Sequence, residues 1–393
     1  MRTTWDCIVI GVGGIGSAAT YWLSKLLGKD VLALEQFRLG HEHGASQDHS
    51  RIIRLSYHTP EYTALTPATY DAWAEVEAES GQQLVFRTGG LDIAPASQEA
   101  VLASYASSMQ AAGIPFEALS AREAMERWPQ WQLQADDRVL FQSESGLVDP
   151  RRAIQTQVAL ARAHGATVLD ETKVLDIQPH ANGGADVITT RGTFHAGNVV
   201  VCADAWTNQV LASTGTQFPL TVTQEQVTYW GTPNLRDYTL DRFPIWIFHG
   251  GAQGYFYGFP VYGEVATKAG EDVGGEVVTP ETRTYEPNPK TKAKLEAFMA
   301  QRCPGALGPE LYTRTCLYTL TPDRDFIIDR LPEFPQVSVA LGAAHAFKFS
   351  SLIGQILADL ATEGDTRQPI APFTLQRPAL TDPTFTPTFQ LVP

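Results

Sequence analysis

The apolar run Cys7-Ile8-Val9-Ile10 passes straight into Gly11-Val12-Gly13-Gly14-Ile15-Gly16, and behind it Ile15, Ala18, Ala19, Trp22 and Leu23 recur at three- and four-residue spacing. This pattern predicts a strand, a tight turn and a helix from Gly14 to Leu27 that stops near Gly28. A second apolar run, Val31 to Leu34, predicts the next strand, and an acid, Glu35, follows it. His41 to Ser50 is polar and reads as a loop. In Arg51-Ile52-Ile53-Arg54 two arginines straddle two isoleucines, a spacing that places both on one face of a short helix, either solvated or functional.

Further along, Thr66 to Glu79 predicts an amphipathic helix with Pro67 in its first turn. Gly89 to Ile93 predicts a strand, Ser97 to Ala112 and Ser120 to Trp128 two helices, and Pro150 to Ala163 another. A strand over Lys173 to Ile177, a hairpin over Ala185 to Phe194 and a buried strand over Asn198 to Ala203 return to α/β texture. Between Leu220 and Gly270 the character turns aromatic, with Val227 to Trp230, Pro244 to Phe248 and Tyr255 to Phe259 predicting a sheet with one apolar face. Most such rings are core, but Trp230, Trp246, Phe248 and Tyr255 are also candidates to shape a pocket. A helix over Thr291 to Met299 and strands over Phe326 to Asp329 and Val337 to Gly342 come next. A helix over Ser350 to Thr362 and a proline-rich tail, expected as an extended wrap, end the chain.

The opening βαβ pattern carries chemistry. Gly11 permits the turn out of the strand, Gly13 a close backbone approach to a pyrophosphate, and Gly16 close helix–strand packing. Free amides at the helix N-terminus face the phosphates. Glu35, nineteen residues after Gly16, has the spacing of a carboxylate that holds ribose hydroxyls. Strand, glycines, helix, strand and acid in this order predict a bound dinucleotide, without choosing between FAD and NAD.

Composition narrows the class. A chain of 393 residues is long for one core, so two domains are expected. A net charge of −14 argues against nucleic acid and anionic membrane as partners. Such a protein must build local positive charge to hold an anionic substrate, which gives weight to any basic residue near the cofactor. The four cysteines show no metal spacing and no disulfide framework, and no metal is expected. The N-terminus reads as a core strand and not a signal, no run approaches a membrane span, and the final residues are not a tripeptide of the SKL type; a cytoplasmic setting is expected.

Arg51 to Arg54, the Tyr257-Gly258-Phe259-Pro260 run with a lysine downstream, Cys316 followed by Tyr318 and Asp325-Phe326-Ile327-Ile328-Asp329, and His345 to Ser351 occur in order along the whole chain. Together with the N-terminal fingerprint they resemble the monomeric sarcosine oxidase and N-methyltryptophan oxidase family of FAD-dependent amine oxidases, within the D-amino-acid-oxidase-like superfamily. The resemblance implies an α/β (α+β overall) fold in which a Rossmann-like FAD-binding domain, residues 1–84, 148–218 and 312–393, is interleaved with a mixed β-sheet substrate domain, residues 85–147 and 219–311. It implies FAD held covalently through Cys316 as a thioether to the flavin 8α carbon, although a buried Cys by itself is more often inert. Gly11, Gly13, Gly14, Ile15, Gly16, Glu35, Gln36, Ser50, Arg51, Val174, Gly342, Phe347 and Lys348 would complete the cofactor site. Arg54 and Lys348 would bind the substrate carboxylate, and Tyr257 and His345 would line the amine pocket. Lys268 would stand over the flavin, where its charge favours electron transfer to O2, and Arg51 would assist the negative charge of the ring.

The implied activity is oxidation of secondary α-amino acids, N-methyl or cyclic, with a hydride equivalent passing to flavin N5 and O2 leaving as H2O2; the expected partners are the small-molecule substrate and O2, and the chain is expected to be a monomer. Asp272 stands where a histidine is usual in the family, a departure that bears on the substrate, while Ser46-Gln47 in place of a His pair and Asp204 in place of a glycine bear on details of the flavin site. Rival readings are an oxidase of a cyclic imino acid or a larger N-substituted amino acid, a flavin dehydrogenase with a protein acceptor, an NAD-dependent enzyme, and a dinucleotide-binding module without turnover.

Overall fold

The computed structural model describes residues 2–389; Met1 and Gln390 to Pro393, and with them the expectation for the final tripeptide, lie outside the described residues. The opening run forms the strand Thr4–Ile10 at the middle of an eight-stranded sheet, parallel to Val31–Leu34 on one side and to Gly192–Val201 on the other. Thr167–Leu169 extends the sheet beyond Val31–Leu34, and Val337–Leu341 adds a parallel partner to Gly192–Val201. Strands buried on both faces read as continuous apolar runs, which is why Cys7 to Ile10 shows no alternation. The two faces still separate by period two. Cys7 and Val9 pack with Ala19, Leu23 and Leu357 under the helices Gly14–Leu27 and Ser350–Thr362. Ile8 and Ile10 face the other way, toward Val187 and Phe194.

Two expectations for this half need correction. The separate strands expected at Thr193-Phe194 and from Asn198 are one strand, Gly192–Val201. Its first half closes the hairpin with Ala185–Thr189 and its second half joins the parallel core; Ala196 and Gly197 interrupt the apolar pattern between them. The helix expected from Thr66 begins at Pro60, so Pro67 is interior. Proline cannot donate to the carbonyl four residues back, but the Thr66 hydroxyl donates to that Thr63 carbonyl at 2.9 Å and offsets the loss.

A second, nine-stranded sheet contains the aromatic runs as neighbours: Thr221–Trp230, Thr267–Glu271, Tyr255–Phe259 and Ile245–His249 in that spatial order, continuing to Gly90–Ala94, Arg138–Gln142 and Glu117–Ser120. The eleven-residue strand Glu310–Leu320 also pairs with Thr221–Trp230, and the boundary expected at residue 312 falls inside it. Trp230, Trp246 and Phe248 are buried with Phe298 of the helix Pro289–Arg302, Phe248 at a ring-centroid distance of 4.8 Å. They are core and shape no pocket, a correction that follows from the helix covering that face. The tail is more than a wrap: Phe373 is fully buried, and short helical turns form at Ala371–Phe373 and Pro378–Thr381. No helix among the described residues is long and apolar enough to cross a membrane.

Candidate active site

A cavity of about 2010 Å³ runs from the glycine turn of the first sheet to the aromatic face of the second. Sites for a single drug-sized ligand are roughly 300–1,000 Å³, so there is room for an extended cofactor and a substrate. Of the residues singled out from sequence as cofactor, catalytic or substrate groups, all but Gly16 line this cavity. Gly16 acts through packing instead, since a Cβ there would lie 1.8 Å from the Gly11 carbonyl oxygen and only glycine lets the helix start this close to the strand end. Gly11 makes the turn at φ +88°, and a Cβ would meet the Cys202 carbonyl oxygen at 2.4 Å. The cradle therefore fits a dinucleotide phosphate by the backbone alone. Ser46, where a histidine is usual in the resemblance, accepts a hydrogen bond from the Gly14 N–H at 3.0 Å.

Glu35 is buried at the end of the second strand and ties the turn together. It accepts hydrogen bonds from the Val12 and Phe37 amides at 2.9 and 3.0 Å and faces His41 Nε2 at 3.3 Å. Burial opposes its ionisation, but His41 and these amides outweigh it and hold the carboxyl below its ordinary value.

The pair Arg51 and Arg54 is a further correction. Arg51–Ile53 is a strand, paired antiparallel with Gly146–Val148 in a small three-stranded sheet, and not a helix. Three residues apart on extended chain means opposite directions, so the arginines serve opposite ends of the cavity. Arg51 donates to the carbonyls of Ser50, Ala45 and Gln47 at 2.9, 2.9 and 2.7 Å and lies 3.7 Å from Asp48. Arg54 donates to Asp92 at 2.9 Å, with its guanidinium over the Tyr57 and Tyr105 rings.

At the Arg51 end, Lys268 projects from the middle of the strand Thr267–Glu271 and is 3 % exposed. Its ammonium lies 2.6 Å from Asp48 and 2.9 Å from the Ser50 carbonyl, 4.5 Å above the Phe259 ring. Burial pulls its pKa down and Asp48 pulls it back only part of the way, leaving it at about 8. Asp48 is buried too, yet Lys268 and Arg51 hold it well below the usual carboxylate range, and it also accepts from the Tyr229 hydroxyl. Two cations share one carboxylate, so this end carries a surplus positive charge. Cys316 sits here on the strand Glu310–Leu320, its thiol pushed up to about 11 by burial. Tyr257 lies between the two ends; Gly270, its cross-strand partner, leaves the space its ring occupies.

The Arg54 end is completed by the turn after Val337–Leu341. Ala343 and Ala344 adopt left-handed backbone, φ 43° and 73°, and bring His345 and Lys348 into the cavity wall. Lys348 donates to the His345 carbonyl at 2.8 Å, and its ammonium lies 5.7 Å from the centre of the same Tyr57 ring that Arg54 covers. The two expected carboxylate-binding groups thus converge across one aromatic ring. Burial and the Arg54 charge push Lys348 well below its ordinary value, the mark of a cation short of an anion. His345 Nε2 donates to the Arg324 carbonyl at 2.9 Å; burial and the Lys348 charge keep its imidazole neutral.

Sequence reasoning missed Asp48, Asp92 and His249, which carry the charge balance of the site. His249 Nε2 and the Ser56 hydroxyl donate to Asp92 at 2.9 and 2.7 Å. The one available signal was an acid within the predicted strand Gly89 to Ile93, since an unpaired buried carboxylate there is too costly. Of the departures, Asp272 pairs with Arg324 at 3.0 Å. Asp204 takes a left-handed φ of 45° where glycine would be cheap, and burial pushes its carboxyl up to about 6.

The chain matches the model of the FAD dependent oxidoreductase family over residues 6–360. It is 31% identical to the monomeric sarcosine oxidase of Bacillus sp. (strain NS-129), over 97% of this chain and 98% of that one. It is 29% identical to the N-methyl-L-tryptophan oxidase of Yersinia pestis (strain Pestoides F), over 95% and 99%. Among solved structures, NikD, described as an unusual amino acid oxidase essential for nikkomycin biosynthesis, superimposes with a TM-score of 0.84 at 25% identity and covers 100% of both chains. Fold, glycine cradle and full-length similarity agree: the chain belongs to the FAD-dependent oxidoreductases of the amino acid oxidase type, in the group of the monomeric sarcosine and N-methyltryptophan oxidases.

Proposed function

We propose that the protein is an oxidase of secondary α-amino acids, N-methyl or cyclic, that carries FAD covalently through Cys316 and uses O2 as acceptor. The observation that supports this most is the convergence of Arg54 and Lys348 on the Tyr57 ring in the cavity wall. The bound flavin supplies the two-electron acceptor and passes the electrons to O2, giving H2O2.

The chain's own groups do the rest. Lys348 and Arg54 take the substrate carboxylate, Lys348 as a point charge and Arg54 by its fork. That contact fixes the carbon next to nitrogen relative to the ring and removes orientational entropy from the reaction. Tyr257 bounds the amine pocket, and neutral His345 leaves the amine free of a competing proton donor. Arg51 and Lys268, with only Asp48 between them, favour negative charge on the cofactor and on reduced oxygen nearby. Glu35, Gln36 and Val174 hold the adenosine end, and Ser50, Gly342 and Phe347 the flavin end.

Cys316 would hold the flavin as a thioether; forming it would remove one hydrogen from the thiol and one from the ring methyl, with O2 as the acceptor of both. The purified protein should be yellow and keep its flavin fluorescence with the polypeptide after acid denaturation, whereas Cys316→Ala should release it. Free flavin from the unaltered protein would remove the covalent reading. A peroxide-coupled screen of N-methyl and cyclic amino acids tests the activity; flavin reduction with very slow reoxidation in air would instead support a dehydrogenase.

A further inference from the structure

The cavity holds a charged element that the proposed reaction does not use. The turn Thr321 to Asp325 presents Arg324, whose guanidinium donates to Asp272 Oδ2 and Oδ1 at 3.0 and 3.3 Å. Asp272 comes from elsewhere, the residue after the strand that carries Lys268. Both residues line the cavity, and each keeps part of its side chain exposed, 25% for Arg324 and 36% for Asp272. The Nε of Arg324 is buried without a partner among the described residues.

This placement is enforced. Arg324 has a left-handed φ of 60°, which strains a non-glycine residue. The turn is held there from several sides: Thr321 donates to the Asp325 carbonyl at 2.7 Å, Tyr62 to Asp325 at 2.9 Å, Arg377 to Asp323 at 2.7 Å, and His345 to the Arg324 carbonyl at 2.9 Å. A strained residue persists only where its surroundings over-determine it, and here they aim one side chain at the cavity.

Among the described residues Arg54 and His249 share Asp92, Arg324 has Asp272, and the Lys348 ammonium donates to a carbonyl. His345 and His58 are kept neutral by burial, and burial pushes the neighbouring Glu225 carboxyl up to about 7. A single substrate carboxylate on Lys348 and Arg54 completes the balance, and a second charged group of either sign upsets it. We propose that Asp272 masks Arg324, and that this neutral pair is the specificity element that restricts the enzyme to α-amino acids with an uncharged side chain. The proposal rests on the oxidase reading above and goes beyond it. Removing one partner turns the wall into a receptor for the opposite charge, because a half-buried ion at the cavity wall, left without its partner, attracts a new counter-ion.

The test compares isosteric substrates on the flavin-loaded enzyme. Unaltered protein should favour N-methylglutamine over N-methylglutamate by 100-fold or more in kcat/KM. Asp272→Asn should shift that ratio at least tenfold toward the glutamate. Arg324→Gln should shift the ratio of N-methyllysine to N-methylnorleucine at least tenfold toward the lysine. Titration of the flavin spectrum with propionate and succinate gives the same comparison without turnover: Asp272→Asn should gain affinity for succinate relative to propionate. Preference of the unaltered protein for N-methylglutamate, or ratios unmoved in both variants, overturns the mask. Absence of flavin reduction by every N-methyl amino acid overturns the oxidase reading instead, and the propionate and succinate titration then decides the mask alone. Each variant reports independently, so loss of flavin in one leaves the other to decide.

Discussion

Asp48 is the residue on which the cofactor end turns. It is the one carboxylate between Lys268 and Arg51, and all three are largely withdrawn from water. Breaking a buried pair leaves an uncompensated charge, which costs about 3–5 kcal/mol, far more than the pair itself contributes. Asp48→Ala should therefore lower stability by about that amount in denaturant titration. Lys268→Met should act differently, because it removes a charge and leaves Asp48 with Arg51. Stopped-flow should show reoxidation of the reduced enzyme by O2 slowed at least tenfold, with reduction by substrate slowed far less. Equal slowing of both half-reactions would place Lys268 with the substrate and not with oxygen.

At the scale of elements, the strands that were legible in the sequence are those buried on both faces, such as Thr4–Ile10 and Val337–Leu341, where apolar residues are continuous. The helix of the glycine cradle was legible for the same reason together with its turn residues. Glu310–Leu320, which carries Cys316, was not: Thr313, Thr315 and Thr319 alternate with a mixed face of Tyr312, Arg314, Cys316 and Tyr318, and the cavity takes Arg314, Cys316 and Tyr318 from that face, so neither side reads as apolar. Arg51–Ile53 was misread because three residues cannot distinguish a period of two from one of 3.6. The cations Arg51, Arg54, Lys268 and Lys348 stood out in the sequence, whereas Asp48 and Asp92, which pair with three of them, did not, since pairing is a property of packed elements.

The strand Thr221–Trp230 adds a pH-dependent term. Glu225 on it is buried, accepting from Thr223 at 2.6 Å and from the Gly274 amide at 3.1 Å, and burial raises its carboxyl from 4.5 to about 7. The folded state then binds a proton that the unfolded state has released, so stability falls as pH rises from about 4.5 to 7 and stays lower above. Glu225→Gln should remove that loss, making the variant more stable than the unaltered protein at pH 8 by up to about 3 kcal/mol, from about 1.4 kcal/mol per unit, and no more stable at pH 4. A stability difference independent of pH would show that Glu225 is ionised in the fold.

On the scale of the whole molecule, a chain of net charge −14 brings Arg51, Arg54, Lys268 and Lys348 together in the wall of one cavity. That cavity has a surplus positive charge at each end, beside Cys316 and Lys268 for the flavin, and at Lys348 for the substrate. Two sheets produce this by meeting at their functional edges: the glycine turn and the His345–Lys348 turn come from the first, Lys268, Tyr257 and Cys316 from the second. The family membership fixes the cofactor, while the proposed specificity element is the Asp272–Arg324 pair. In the proposed reaction a secondary amino acid bound by its carboxylate at Arg54 and Lys348 reduces the flavin directly. The decisive measurement is the visible spectrum of the yellow protein under anaerobic conditions on addition of N-methyl and cyclic α-amino acids. The account predicts bleaching by at least one of them, recovery on admission of air with one H2O2 per flavin, and a weakening of at least 100-fold in the apparent affinity for that substrate in Arg54→Met. A flavin that none of these acids bleaches, or that Arg54→Met bleaches as readily as the unaltered protein, would contradict it.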